Sequence, residues 1–184
     1  GASAGGESAL FDLFANIPHD VDAAFIVLSH HKQDHQSQLK FLLSRHTRYP
    51  IYLIRSGEEI KPASIYLIPE NTTTTIENGR LFLKAHRDDL NPPLIDEFFM
   101  SLAKEMKNRA IGIILSSSGA DGAKGSRTIK EYGGMVMVQQ PGAGKSDPMP
   151  VTLIEKDFCD HILPAKNMGL HLNDYIHSFD HKNE

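Results

Sequence analysis

The first residues of the chain contain a pattern that could carry a nucleophile. Residues 1–5 read G-A-S-A-G, which fits the pattern G-x-S-x-G of a nucleophile elbow. In such an elbow the small flanking residues allow a tight strand-to-helix turn, and the serine hydroxyl stands clear of the sheet. A helix predicted from residue 7 would direct its first amide groups at the same place, which favours negative charge there. Ser3 is therefore a candidate nucleophile, and an ordinary glycine-rich turn is the alternative.

A candidate general base follows the next predicted strand. His30 comes two residues after the apolar run 24–28. A serine nucleophile needs a base within hydrogen-bond reach, and the imidazole pKa lies near neutrality. The chain has 10 His residues, so a histidine at this strand end is also compatible with a simple surface position.

A third turn, rich in Ser and Gly, spans residues 116–125 and contains Asp121. An aspartate where a helix begins can cap that helix. It can also orient a catalytic imidazole and stabilise its charged form. The residue alone leaves both roles open. Asp96, in the first turn of another predicted helix, is expected to cap or orient the helix that it begins.

Alternation of apolar and amphipathic segments supplies the elements that must position these turns. The predicted helices cover residues 7–16, 36–44, 94–107, 121–132, 151–156 and 166–179. The predicted strands cover 24–28, 51–54, 64–68, 73–77, 80–84, 111–115, 135–138 and a short segment near 162. A loop rich in Gly and Pro is expected up to Pro150.

This order of elements predicts one α/β domain over residues 1–184, a single doubly wound and mostly parallel sheet flanked by helices. Asn78-Gly79 predicts an antiparallel hairpin insertion. Ligand sites of such sheets lie beyond the carboxyl ends of the strands, so the three turns would share one edge. A glycine turn normally follows a strand, and we therefore expect a first strand before Gly1.

Composition excludes several classes of function. The 184 residues are 40% hydrophobic and carry a formal net charge of -4, which gives no basic surface for nucleic acid. There is no run of about 20 apolar residues that would span a membrane. The single Cys159 fits a reducing compartment, and we expect a soluble, cytoplasmic domain.

Several segments occur in the order and spacing of a known family, over essentially the whole chain. The segments are G-A-S-A-G-G from Gly1, V-L-S-H ending at His30, D-H-Q-S at 34–37, L-L-S-R-H-T at 42–47, I-Y-L-I-P at 65–69, L-I-D-E-F-F-M-S-L-A at 94–103 and G-A-D-G-A-K-G from Gly119. With these segments the chain resembles the catalytic domain of chemotaxis-type protein-glutamate methylesterases, the CheB-like family, and is most similar to the version fused to a methyltransferase.

The resemblance implies a role for individual residues. Ser3 would be the nucleophile, His30 the base and Asp121 the partner of the base, with the backbone N–H groups of Ala4 and Ser118 as oxyanion donors. The implied substrate is a methylated glutamate on a chemoreceptor or a related signalling protein, with deamidation of glutamines as a second activity. No cofactor, no metal and no nucleic-acid or membrane-inserted partner is implied.

The chain departs from the family pattern at Ser117, Ser118 and Pro148, and these departures leave other functions open. One is a catalytically inactive signalling scaffold of the same fold, and another is a serine esterase with a different substrate. A metal site at His30, His31 and His35 and a phosphate site at residues 142–146 are weaker alternatives, because a third metal ligand with convincing spacing and the full P-loop pattern are both missing.

Overall fold

A computed structural model of the protein describes residues 6–19, 21–29, 35–69, 71–86, 92–116, 119, 121–142 and 148–180, without the side chains of residues 35, 36 and 180. The α-helices in these ranges are α1 (Glu7–Ala15), α2 (His35–Leu43), α3 (Leu94–Met106), α4 (Ala123–Glu131), α5 (Pro148–Glu155) and α6 (Ala165–Asp180). The strands are β1 (Ala24–Val27), β2 (Ile51–Leu53), β3 (Glu58–Glu59), β4 (Ser64–Leu67), β5 (Thr72–Glu77), β6 (Arg80–Ala85), β7 (Ile111–Ile114), β8 (Met135–Gln139) and β9 (His161–Leu163).

The parallel strands form two groups of three. In one group β4 pairs with β1 on one side and β2 on the other, and in the second group β8 lies between β7 and β9. A separate antiparallel sheet has the order β3-β6-β5. The doubly wound, mostly parallel α/β fold is thus confirmed, and so is the antiparallel hairpin. Its turn residues Asn78 and Gly79 have φ angles of 51° and 69°, the left-handed conformation that an Asn-Gly hairpin turn requires.

The two faces of the parallel strands bury two separate hydrophobic cores. Along β4, Ile65 and Leu67 point into the core beneath α1, α2 and α6. The alternate residue Tyr66 points into the core beneath α3, α4 and α5. The same alternation occurs along β8, all of whose residues are buried. Helices on both faces therefore explain why these strands are buried throughout and apolar except at one end each, rather than alternating.

Most predicted boundaries lie within two residues of the observed ones, with α5 as the exception. The loop expected up to Pro150 is wrong at its end, because α5 begins at Pro148. Proline is tolerated in the first turn of a helix, where its missing N–H would have no partner within the helix. The two-residue strand β3 was not predicted. No helix in the described ranges combines the length and hydropathy that a membrane crossing requires.

Candidate active site

Described residues after two of the sequence-predicted strands lie close together. Leu28 after β1 and Leu115 after β7 line the same small cavity, of about 80 Å³, which α1 covers with Leu10, Leu13 and Phe14. The carboxyl ends of β1 and β7 are therefore near each other, at the edge where doubly wound sheets bind their ligands.

The structure describes only part of the proposed catalytic set. Ser3, Ala4, His30 and Ser118 lie outside the described residues, so their roles stay predictions. Asp121 lies within the described residues.

Asp121 caps a helix, but not the helix that follows it in the chain. Its Oδ2 accepts a hydrogen bond of 2.9 Å from the N–H of Ile95, and its Oδ1 accepts one of 2.9 Å from the N–H of Asp96. Both donors belong to the first turn of α3, where N–H groups have no partner within the helix. The N-cap of the following helix α4 is Gly122, which has no side chain to cap it. Each carboxylate oxygen can accept more than one hydrogen bond, so capping does not exclude a histidine partner.

Asp96 in turn caps the start of α4. Its Oδ1 accepts hydrogen bonds from the N–H groups of Gly122 (3.0 Å) and Gly125 (2.6 Å), at the start of α4. Of the two roles expected for Asp96, capping its own helix is wrong, since the N-cap of α3 is Pro93 and makes no side-chain hydrogen bond, whereas the bonds to α4 agree with a role in orienting α3. The two aspartates therefore join the amino ends of α3 and α4 by four hydrogen bonds from backbone N–H groups.

Two glycines allow this close contact. A Cβ added to Gly125 would lie 2.5 Å from the Cβ of Phe99 and 3.1 Å from the Cα of Asp96. Gly122 has a φ of 119°, in a region that other residues rarely adopt. The sequence G-A-D-G-A-K-G thus combines a special backbone conformation with the absence of a side chain where α4 touches α3.

The surroundings of Asp96 act on the pKa of its carboxyl group in opposite directions. Burial raises the pKa of Asp96 above its ordinary value of 3.8, and the neighbouring charge of Asp121 raises it further. The hydrogen bonds from Gly125 and Gly122 and the charge of Lys124 act in the other direction. The amino ends of α3 and α4 carry partial positive charge, which helps both carboxylates to lie together.

A second buried contact shapes the start of the Asp121 turn. The N–H of Ser116 donates to Oε1 of Gln139 at 2.7 Å. Both residues are buried, and they follow or end the neighbouring strands β7 and β8. Gln139 was not singled out in the sequence, and its only signal was a polar residue at the end of an apolar strand.

Among the described residues, no group of three metal-binding side chains lies together. The metal site and the phosphate site that the sequence left as weaker alternatives stay predictions. The side chains of His30, His31 and His35 and most of the segment 142–146 are outside the described part.

The described residues define a doubly wound α/β domain in which two carboxylates, those of Asp96 in α3 and of Asp121 in the turn that follows β7, cap neighbouring helices. The chain belongs to the CheB methylesterase family, whose family model matches residues 1–172.

Two curated relatives match most of this chain, and one of them is described as a methylesterase. A protein of Thermotoga maritima described as a protein-glutamate methylesterase/protein-glutamine glutaminase is 29% identical over 170 residues, which are 90% of this chain and 49% of that protein. A 104.1 kDa protein of Rhodobacter capsulatus, described as uncharacterized, is 34% identical over 136 residues, 73% of this chain and 14% of that protein. The chain thus spans about half, or less, of the length of these relatives.

A solved structure shows the same fold. The catalytic domain of the Thermotoga maritima CheB methylesterase superposes with a TM-score of 0.84 at 28% identity, covering 94% of each chain.

Proposed function

We propose that this domain is a serine hydrolase that demethylates glutamate methyl esters and deamidates glutamine side chains on chemotaxis-type receptors. The observation that carries the proposal is the position of Asp121, held by two N–H groups of α3 beside the carboxyl ends of the strands. Family membership over residues 1–172 and relatives described as methylesterases support the same activity.

In the proposed mechanism, the Ser3 hydroxyl attacks the ester carbonyl while His30 takes its proton. Asp121 holds the imidazole and stabilises its charged form. The N–H groups of Ala4 and Ser118 bind the oxyanion of the tetrahedral intermediate. Collapse of this intermediate expels methanol, which receives the proton from His30. Water then attacks the acyl-enzyme with the same base, which returns free Ser3 and leaves a glutamate side chain.

The hydrogen bonds that Asp121 accepts from α3 suit its proposed role. A carboxylate that orients a histidine must not rotate, and two hydrogen bonds from the rigid first turn of α3 restrain both of its oxygens. The same restraint would hold in an inactive scaffold, so chemistry has to be tested directly.

We propose that the partners are methylated receptors in the cytoplasm and that the domain works within a longer polypeptide that includes a methyltransferase. The 104.1 kDa relative, of which this chain covers 14%, supports a longer polypeptide.

A serine-directed fluorophosphonate probe tests the catalytic claim. We expect the parent protein to be labelled and Ser3→Ala and His30→Ala to remain unlabelled. Ser8→Ala and His19→Ala are matched controls, since both residues are exposed, and they should label like the parent. A folded parent that does not react, or Ser3→Ala that still does, would reject the proposal in favour of a scaffold.

A methylated peptide then tests the substrate. A receptor-like helical peptide that contains a glutamate γ-methyl ester should release methanol in a Ser3-dependent reaction. The matched peptide contains an aspartate β-methyl ester at the same position. An enzyme that labels with the probe but hydrolyses both peptides equally slowly would be a serine esterase with another substrate.

A further inference from the structure

Two histidine rings are in contact where β9 meets α6. His161 is the first residue of β9 and His171 lies in the second turn of α6. Their ring centroids are 4.1 Å apart and the ring planes are inclined by 64°, so the edge of one ring meets the face of the other. A single residue, Pro164, separates β9 from α6 in the chain, and the helix therefore folds back onto the strand that precedes it. We refer to these two rings as the histidine pair.

The register of the sheet places the side chain of His161 on the face that α6 covers. His161 pairs with Met137 of β8, which is buried in the core beneath α1, α2 and α6. Met168 and Leu172 of α6, which neighbour His171 on the helix, are buried in the same core. Both histidines are half-buried. The histidine pair therefore lies at the rim of this core, where it joins the strand to the helix.

The strand β9 has few other contacts that hold it in place. It has three residues, and among the described strands it pairs with β8 alone. The side chain of Ile162, on the opposite face, is 45% exposed. A short edge strand of this kind is stabilised by its one neighbour and by the helix that covers it, so a change in the contact with α6 should reach β9 directly.

On the strand side of the histidine pair lies the carboxylate of Asp160, the residue before His161. Its Oδ1 forms an ion pair of 3.1 Å with Nζ of Lys130 in α4, and its Oδ2 accepts a hydrogen bond of 2.8 Å from the N–H of Val136. β8 contributes the apolar side chain of Met137. The charge of Asp160 favours a proton on His161, but it is already partly compensated by Lys130.

On the helix side, the titratable residues one turn after His171 are Asp174 and Tyr175. Asp174 is exposed, so water and salt screen its charge. Burial and the charge of Asp160 raise the pKa of Tyr175, which is therefore neutral around pH 7. Burial and then the charge of His171 lower the pKa of His161 below its ordinary 6.5, whereas the charge of Asp160 acts in the other direction.

We propose that the histidine pair is a pH-sensitive switch, in which neutral rings hold α6 on β9 and protonation of the rings releases this contact. Neutral rings gain from the edge-to-face arrangement. Two imidazolium charges at the same distance would repel each other, and their half-buried position leaves little water to screen them. The contact can open without disrupting the centre of the sheet, because β9 lies at its edge.

The sign of the pH effect follows from His161. Because its pKa in the folded state lies below 6.5, the unfolded chain binds this proton more tightly between the two values. The contribution of His161 to stability is therefore complete above a pH of about 6.5 and decreases as pH falls through that window.

Opening of the contact should also affect α1, because α6 lies against it. A Cβ added to Gly169, two residues before His171, would collide with the backbone oxygen of Asn16 at the end of α1. Acid pH would then loosen the helix that follows Ser3. This consequence rests on the proposed function, whereas the switch itself does not.

Amide hydrogen exchange of the natural full-length polypeptide tests the switch, with β4 as the internal reference for global effects. Between about pH 7.5 and pH 5.5, after correction for intrinsic exchange rates, protection of β9 and α6 should fall about threefold or more relative to β4. No such relative fall would overturn the proposal.

Substitution of one ring then assigns the effect to the pair. His171→Phe keeps an aromatic ring but cannot be protonated, and the relative fall in protection should be at most about half that of the parent. The matched control is His177→Phe, the same substitution at an exposed position of α6, which should behave like the parent. An undiminished fall in His171→Phe would overturn the proposal.

Exchange of the imidazole C2 hydrogen, followed by mass spectrometry across pH, is a further measurement on the unmodified polypeptide and decides even if His171→Phe does not fold. His161 should titrate below 6.5, and titration at or above this value would contradict the switch. None of these readouts depends on esterase activity, so failure of the switch and failure of the proposed function can be distinguished.

Discussion

Asp96 and Asp121 each cap the helix that the other belongs to or precedes. Asp121 accepts N–H groups of the first turn of α3, which contains Asp96, and Asp96 accepts N–H groups at the start of α4, just after Asp121. Neither aspartate can move without releasing donors of the neighbouring helix. The pair therefore makes the junction of α3 and α4 rigid, and it holds the carboxylate of Asp121, the proposed catalytic aspartate, in one position.

Replacement of Asp96 should release the start of α4. Asp96→Ala removes the acceptor of Gly122 and Gly125, and we expect the free energy of unfolding to fall by about 2–3 kcal/mol, as for hydrogen bonds to a charged group. Urea denaturation measures the change. Glu97→Ala, in the same turn of α3, is the matched control and should change stability by less than about 0.5 kcal/mol. An equal loss in both variants would show that the cap contributes nothing specific.

The titration of Asp96 should respond to its partner. Its pKa lies above the ordinary 3.8, mainly because of burial and also because of the charge of Asp121. Removal of that charge in Asp121→Asn should lower the pKa of Asp96, which carboxyl NMR titration measures. An unchanged or higher value in Asp121→Asn would contradict the assigned repulsion.

The same raised pKa predicts the sign of a stability change with pH. Between 3.8 and the pKa in the folded state, the folded protein binds the Asp96 proton more tightly than the unfolded chain does. This group alone therefore makes stability fall as pH rises through that window. The comparison is between the parent and Asp96→Asn, by urea denaturation across the window, and the parent should show the steeper decline.

Gly125 should tolerate no side chain. In Gly125→Ala the new Cβ would press on Phe99 and on the backbone of Asp96, and overpacking of this kind costs about 1–3 kcal/mol. Thermal or urea unfolding measures the loss. Lys124→Ala, at the adjacent exposed position of α4, should be nearly neutral. A Gly125→Ala variant as stable as the parent would mean that α4 can move away from α3 at little cost.

The buried amide of Gln139 should matter more than its exposed neighbour. Gln139→Leu keeps similar volume but takes away the acceptor at 2.7 Å from the N–H of Ser116, and we expect a loss of about 1–3 kcal/mol. Gln140→Leu, at the exposed next position, is the matched control. Hydrogen exchange at Ser116 should speed up only in Gln139→Leu, and unchanged exchange there would refute the assigned bond.

The secondary structure could be predicted because its signals are local. Apolar runs and amphipathic periods placed β7, β8 and α3 within about two residues of their observed ends, and Asn78-Gly79 predicted the hairpin turn. The start of α5 was missed, because proline was interpreted as a loop residue although a first turn accepts it.

For the site, the sequence alone determined only which residues are candidates for catalysis. It placed Asp121 in a turn after a buried strand and left capping and catalysis open. Only the tertiary structure decided that Asp121 caps α3 and that Asp96 caps α4 in return, through hydrogen bonds between residues 25 to 29 positions apart. It also decided that Gln139 accepts a hydrogen bond from Ser116, at the start of the turn that contains Asp121. The physical reason is that helix and strand formation depends on neighbours along the chain, whereas these hydrogen bonds exist only after α3 and α4, and β7 and β8, have packed side by side.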